Sequence, residues 1–216
     1  MFNTAKDGPA RPKRIVGEGR REQILMAARK LALRDGLDKV TLRAVAKECG
    51  LSAGLLLFHF DSSEALLLAL LDSFLETLKS IQTSAAAASG TAYERLAEVT
   101  EAELTRLSRE RATADVFFEF WVRGLRHPEI RRRMREGLRS YRKAILALTT
   151  EVVRERPDLF RGVSPKGLAT MVVATIQGSV LQAVLDPRTV DLDDSRRAFV
   201  ALSRAMADWK PRRRAS

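Results

Sequence analysis

The chain has 216 residues, 45% hydrophobic and 30% charged, a globular balance that excludes a disordered polymer and suits one or two domains. Lysine and arginine number 38 against 27 acidic residues, a net charge of +11, which favours polyanionic partners such as nucleic acid or an anionic membrane surface. The single cysteine, Cys49, excludes an internal disulfide and a cysteine-based zinc site, and no metal or cofactor is expected.

The first residues lack the apolar stretch of a secretory signal, and no uncharged apolar run of about 18 residues is read along the chain, so a cytoplasmic protein without a membrane span is expected. The charge is uneven. The first 60 residues carry 12 Lys and Arg against 6 Asp and Glu, a net +6. Residues 1–19 hold Gly8, Pro9, Pro12, Gly17 and Gly19 among basic residues, a composition that predicts a flexible basic arm able to lie along phosphates or in a minor groove.

From Arg20 the pattern turns helical, with Ile24, Leu25, Ala28, Leu31 and Ala32 on one stripe. Gly36 ends that helix. Thr41 is placed to cap a second, on which Leu42, Val45, Ala46 and Cys49 share a face. Gly50 then stops it, because glycine takes a left-handed turn without steric cost. Ser52 is placed to cap a third helix running to His59. Two short helices set at a steep angle by a glycine turn predict a helix-turn-helix, whose second helix enters the major groove of DNA.

Asp61 and Glu64 mark the next start, and a seam of Leu67, Leu70, Leu71, Phe74, Leu75, Leu78 and Ile81 follows. An alanine-rich linker ends at a break over Ser89 and Gly90. Every later periodic stretch is helical: Tyr93 to Leu107, an aromatic-rich segment over Val116–Leu125, a long basic helix over Glu129–Glu155, an apolar one from Pro165 to Leu185, and a last one from Leu192 to Trp209. The tail is basic. Nothing alternates at period two, so the fold class is all-α.

The order of signals around the turn is similar to one known family. Ala46 with Gly50 four residues on, then Leu51-Ser52, then His59-Phe60 before Ser62-x-Glu64-x-Leu66 resembles the N-terminal domain of the TetR family of bacterial one-component repressors. The stretch Phe118 to Arg131 resembles, more loosely, the subgroup typified by the choline-responsive repressor of the betaine pathway. The resemblance implies a three-helix DNA-binding domain at 20–66, an effector-binding and dimerisation domain at 67–209, and a basic tail at 210–216. It also implies a homodimer on a pseudo-palindromic DNA operator, released by a small molecule.

Carried onto this chain, it makes Arg20, Thr41, Arg43, Ser52, Ala53, Gly54, Leu55, Leu57, Phe58, His59 and Ser63 the DNA-binding set. Leu55, Leu57 and Ser63 replace the family's usual Thr, Tyr and Lys, so this recognition helix is poor in groups that reach phosphate. Leu55 suits a thymine methyl, and the basic arm with Arg20, Arg21, Arg43 and Lys47 is expected to supply the missing affinity.

A DNA reader alone needs far fewer residues than follow Ile81, so a sensor is expected. The aromatic cluster directs attention to Phe117 and Trp121, with Met134, Tyr141, Met171 and Gln177 facing them, as a small-molecule pocket of mostly apolar walls. Glu103, Glu119 and Arg123 read as solvated surface. No nucleophile–base pair, metal pair or phosphate-binding glycine loop is found, so an enzyme is not expected. The alternative is a non-specific basic helical DNA-binding or membrane-peripheral protein, for which the arginines at 131–133 would be the evidence.

Overall fold

The computed structural model describes residues 13–77 and 89–208. The residues at 1–12, Leu78, Ile81, most of the alanine-rich linker, Trp209 and the tail lie outside them, as does the Met206 side chain. Among the described residues there are nine α-helices and no strand. The chain divides into two compact units, 1–70 and 71–216.

The first unit holds α1 (Lys13–Asp35), a 3-10 turn at Leu37–Lys39, α2 (Leu42–Cys49), α3 (Ala53–His59) and the start of α4 (Ser63–Glu76). Helix α1 begins seven residues before the Arg20 start expected from the sequence, so residues 13–19 are helical and not an arm. Gly17 and Gly19 each cost about 1 kcal/mol in a helix interior, which does not stop a helix whose later turns are already nucleated. Gly36 leaves α1 at φ 83°. The predicted stripe packs: Ile24, Ala28, Leu31 and Ala32 are buried with Leu37, Val45, Ala46, Leu56, Phe60, Leu66 and Leu70. Glu48 ties α2 to α1 through Lys30 at 2.7 Å and Arg34 at 3.2 Å. The division falls inside α4, four residues beyond the boundary expected at 66 and 67, because this helix continues the apolar seam without interruption.

The second unit holds the end of α4, α5 (Ala92–Arg109), α6 (Arg111–Gly124), α7 (Pro128–Glu155), α8 (Pro165–Leu185) and α9 (Leu192–Asp208). A capping box starts α5. Thr91 Oγ1 accepts from the Glu94 amide at 3.2 Å, and the Glu94 carboxylate accepts from the Thr91 amide at 2.8 Å. Helices α5, α7 and α8 share the main core through Leu96, Val99, Leu104, Ile145, Leu148, Val152, Val173 and Ile176. Arginines cover helix ends: Arg111 donates to the Ala183 carbonyl at the end of α8, and Arg131 to the Gly124 carbonyl at 2.9 Å at the end of α6.

Helix α8 corrects one expectation. It is 21 residues long, with a mean hydropathy of 1.7 over its most apolar window, and is long and apolar enough to cross a membrane. One face packs into the core through Ala169, Val172, Val173, Ile176, Val180 and Ala183, so it is also the central helix of this unit.

Candidate nucleic-acid interface and ligand cavity

The helix-turn-helix is built by three local devices. Thr41 Oγ1 accepts from the Ala44 amide at 3.2 Å and Ser52 Oγ from the Leu55 amide at 3.2 Å, so each hydroxyl satisfies one orphan N–H of a helix start. Each hydroxyl keeps its own O–H for an outside acceptor. Between them Gly50 sits at φ 68°, ψ 31°, and its amide bonds back to the Ala46 and Lys47 carbonyls, closing α2. Cys49 spends its thiol on the Val45 carbonyl at 3.0 Å, as a small core residue does.

On α3 the three leucines in sequence separate. Leu56 is fully buried, whereas Leu55, Leu57 and Phe58 are 37%, 48% and 81% exposed. Helical periodicity forces this: 100° per residue puts the neighbours of a buried position on the flanks. Gly54 is open, with no atom within 4 Å of where a Cβ would stand. Ala53 and His59 are half-buried, and the His59 ring meets Phe58 edge-on at 5.4 Å. Arg20, Arg43 and Ser63 are exposed, with Arg20 bonded to Gln23 at 2.8 Å. Arg21 stacks over the Phe60 ring at 4.8 Å, which fixes that guanidinium beside the end of α3.

The second unit contains a cavity of about 50 Å³. Phe117, Tyr141 and Gln177, three of the six expected pocket residues, line it together with Phe74, Leu138 and Ile176. The other three do not. Trp121 lies a turn beyond Phe117 and stacks on Phe118 at 6.1 Å. Met134 is buried a turn before Leu138. Met171 is 67% exposed, because six residues at 100° each turn it well away from Gln177 on α8.

Glu103 also departs from its expected place on the surface. It is 6% exposed, lines the cavity, and accepts two bonds from Arg106, at 2.9 Å to Nε and 2.8 Å to Nη2. Arg106 also reaches Glu110 at 2.8 Å. Burial works against the Arg106 charge, but the bonds and attraction to Glu103 and Glu110 outweigh it and hold its pKa above the ordinary guanidinium value. Tyr141 is 3% exposed, and burial, reinforced by the nearby Glu103 charge, pushes its phenol well above its ordinary pKa. This pair was legible in part: Leu96, Thr100, Glu103 and Leu107 follow a spacing of four, three and four, which puts Glu103 on the inward face of α5.

The arginine run is internally committed. Arg132 pairs with Glu129 at 2.6 Å and Glu136 at 2.8 Å, Arg133 pairs with Glu129 and Asp72, and Arg131 caps α6.

Residues 92–207 match the family model of the BetI-type transcriptional repressor C-terminal domain, and residues 24–70 match that of the tetR family of bacterial regulatory proteins. The chain belongs to the TetR family. Among curated TetR relatives, the regulator BetI of Vibrio parahaemolyticus is 22% identical over 86% of this chain and 90% of its own length. PksA of Bacillus subtilis is 25% identical over 88% and 90%. A putative transcriptional regulator of Saccharomonospora viridis, solved in complex with choline, superposes with a TM-score of 0.74 at 24% identity over 86% of this chain and 95% of that one. FadR of Bacillus subtilis, solved with stearoyl-CoA, gives 0.67 at 22% over 84% and 96%. These two structures share the fold. This TetR protein is accordingly a DNA-binding transcriptional regulator of the repressor type, and not an enzyme.

Proposed function

We propose that this regulator binds a pseudo-palindromic operator as a cytoplasmic homodimer and leaves it when a small molecule occupies the cavity of the second unit. The observation that carries the reading is α3: a doubly capped helix-turn-helix whose second helix is anchored by Leu56 and offers Leu55, Leu57 and Phe58 outward. Those apolar groups suit thymine methyls in a major groove. Arg20, Arg43 and Lys47, exposed around them, suit the flanking phosphates. The cavity supports the sensing half, since it is apolar-walled with a few polar groups, as small-molecule sites are.

A homodimer is supported by the outer faces of α8 and α9, where Met171, Leu181, Leu185 and Leu202 are exposed beside the small residues Ala174, Ala198 and Ala201. Two-fold pairing there would present two recognition helices to half-sites about 34–36 Å apart. The ligand would act by population shift, lowering operator affinity by the difference in its own affinity for the two states. Footprinting on the DNA upstream of the protein's own gene tests the reading. A protected, roughly symmetric site is expected, and uniform sequence-independent retardation with no protected site would defeat it.

A further inference from the structure

The regulator reading leaves the chemistry of the ligand open, and the cavity wall narrows it. Its formal charges are Glu103 and Arg106, and each already holds the other through two bonds. Glu110, the third member, lies outside the lining and is exposed to solvent. A carboxylate ligand would have to draw Arg106 from Glu103 and strand a buried anion, the steep penalty of breaking a buried pair. A quaternary cation would find no uncompensated negative charge in the wall. The phenyl rings alone suit a cation or an apolar body equally well, so the charge balance decides between them.

What the wall leaves unspent is neutral. Tyr141, 97% buried as a residue, makes no side-chain hydrogen bond among the described residues, and neither do the side chains of Thr113 and Gln177. The Tyr141 hydroxyl is not among the enclosed polar atoms without a partner, so it opens on the cavity, where an entering group can bond it. Around these groups stand Phe74, Phe117, Phe118 and Leu138.

Resting on the regulator reading, we infer that the ligand is an uncharged, largely apolar molecule carrying one hydrogen-bonding oxygen, a carbonyl or hydroxyl, which Tyr141 and Gln177 recognise. It is neither a quaternary ammonium nor a carboxylate. At about 50 Å³ the cavity is small, so a ligand of phenyl size enters as the half-buried Phe117 and Phe118 swing outward.

The test titrates the full-length protein, without DNA, with acetophenone, benzyl alcohol, toluene, benzoate and choline, reading heat by calorimetry. Acetophenone and benzyl alcohol are expected to saturate at least tenfold more tightly than benzoate or choline. Tyr141→Phe is expected to weaken the two oxygen-bearing probes by about 2- to 12-fold, the span of one net hydrogen bond, and to leave toluene unchanged. Gln177→Leu reads the same recognition from a half-buried position if the first variant fails to fold. Glu103→Gln, which leaves Arg106 with less compensation, is expected to raise benzoate affinity. Choline or benzoate binding more tightly than both neutral probes, no saturation by either neutral probe, or oxygen-bearing affinities untouched by both Tyr141→Phe and Gln177→Leu overturns the inference. Operator binding by the same preparation is scored separately. Its loss would sink the regulator reading, whereas a preference for charged probes sinks only this one.

Discussion

Leu56 and Phe58 stand two positions apart on α3, and the difference in their surroundings separates a folding role from the proposed recognition role. Leu56 is fully buried among the helices of the first unit, so Leu56→Ala removes its transfer energy and leaves a void. A loss of about 2–5 kcal/mol is expected in denaturant unfolding. Phe58 is 81% exposed, so Phe58→Ala is expected to change stability by no more than about 0.5 kcal/mol while weakening operator binding. Equal stability losses for the two variants would mean that α3 packs differently. Arg43, exposed on α2, is proposed to stand on the phosphate side of the interface. Arg43→Ala is expected to flatten the slope of log affinity against log salt by about 0.9 for the one contact removed, and a change in base preference instead would make it a reader. At this scale the sequence was informative where one residue does one local job. Thr41, Gly50 and Ser52 announced their caps and turn. It was uninformative at Trp121, Met134 and Met171, since an apolar side chain carries no mark of whether it faces a cavity, a core or solvent.

Among the elements, the start of α7 makes a prediction about pH. Glu129 lies in the first turn behind Pro128, where a helix favours negative charge. Hydrogen bonds from Arg132 and then Arg133 hold its carboxyl down at about 2, against an ordinary value of 4.5. A carboxylate depressed in the folded state contributes stability that is complete above its unfolded pKa and disappears as pH falls through its folded one. The stability gap between the protein and Glu129→Gln is therefore expected to be constant above about pH 5 and to close progressively from pH 4.5 towards 2. A constant gap across that range would show that the charge is not what Glu129 contributes. The elements were legible because caps and breakers are local: Ser89 and Gly90, Pro128, Pro165 and Pro187 all stand at or beside element ends. Helix α1 was less so. Two glycines read as an arm when taken by composition, and only the nucleated helix behind them shows that their cost is tolerable.

At the scale of the whole molecule, the fold class and the order of helices followed from periodicity, because the seams recur at three and four residues with no competing alternation. The cavity's Glu103–Arg106 pair was legible only in part, because the spacing of α5 turns Glu103 inward but does not show that a cavity lies beside it. The same difficulty affects the proposed subunit interface, because a helix apolar on all sides suits a buried core and a dimer seam alike. Helix α8 is such a helix: Val173 and Ile176 are buried within its own unit, while Met171, Leu181 and Leu185 are exposed. Met171 and Leu202 share one shallow apolar groove with Thr175 and Phe199, and if two copies meet there, an isologous contact sets this patch against the same patch of the other copy. Placing glutamate at both positions, Met171→Glu with Leu202→Glu, puts like charges into that contact, where they must lose water without gaining a partner. Both positions are largely exposed in the single chain, so the subunit's helicity is expected to stay unchanged. Light scattering is expected to find a dimer for the parent and a monomer for the double variant. Operator affinity should fall steeply, because the two half-sites are then bound independently and the gain from effective concentration disappears. A double variant that remains dimeric and keeps full operator affinity would place the seam on another face of the molecule.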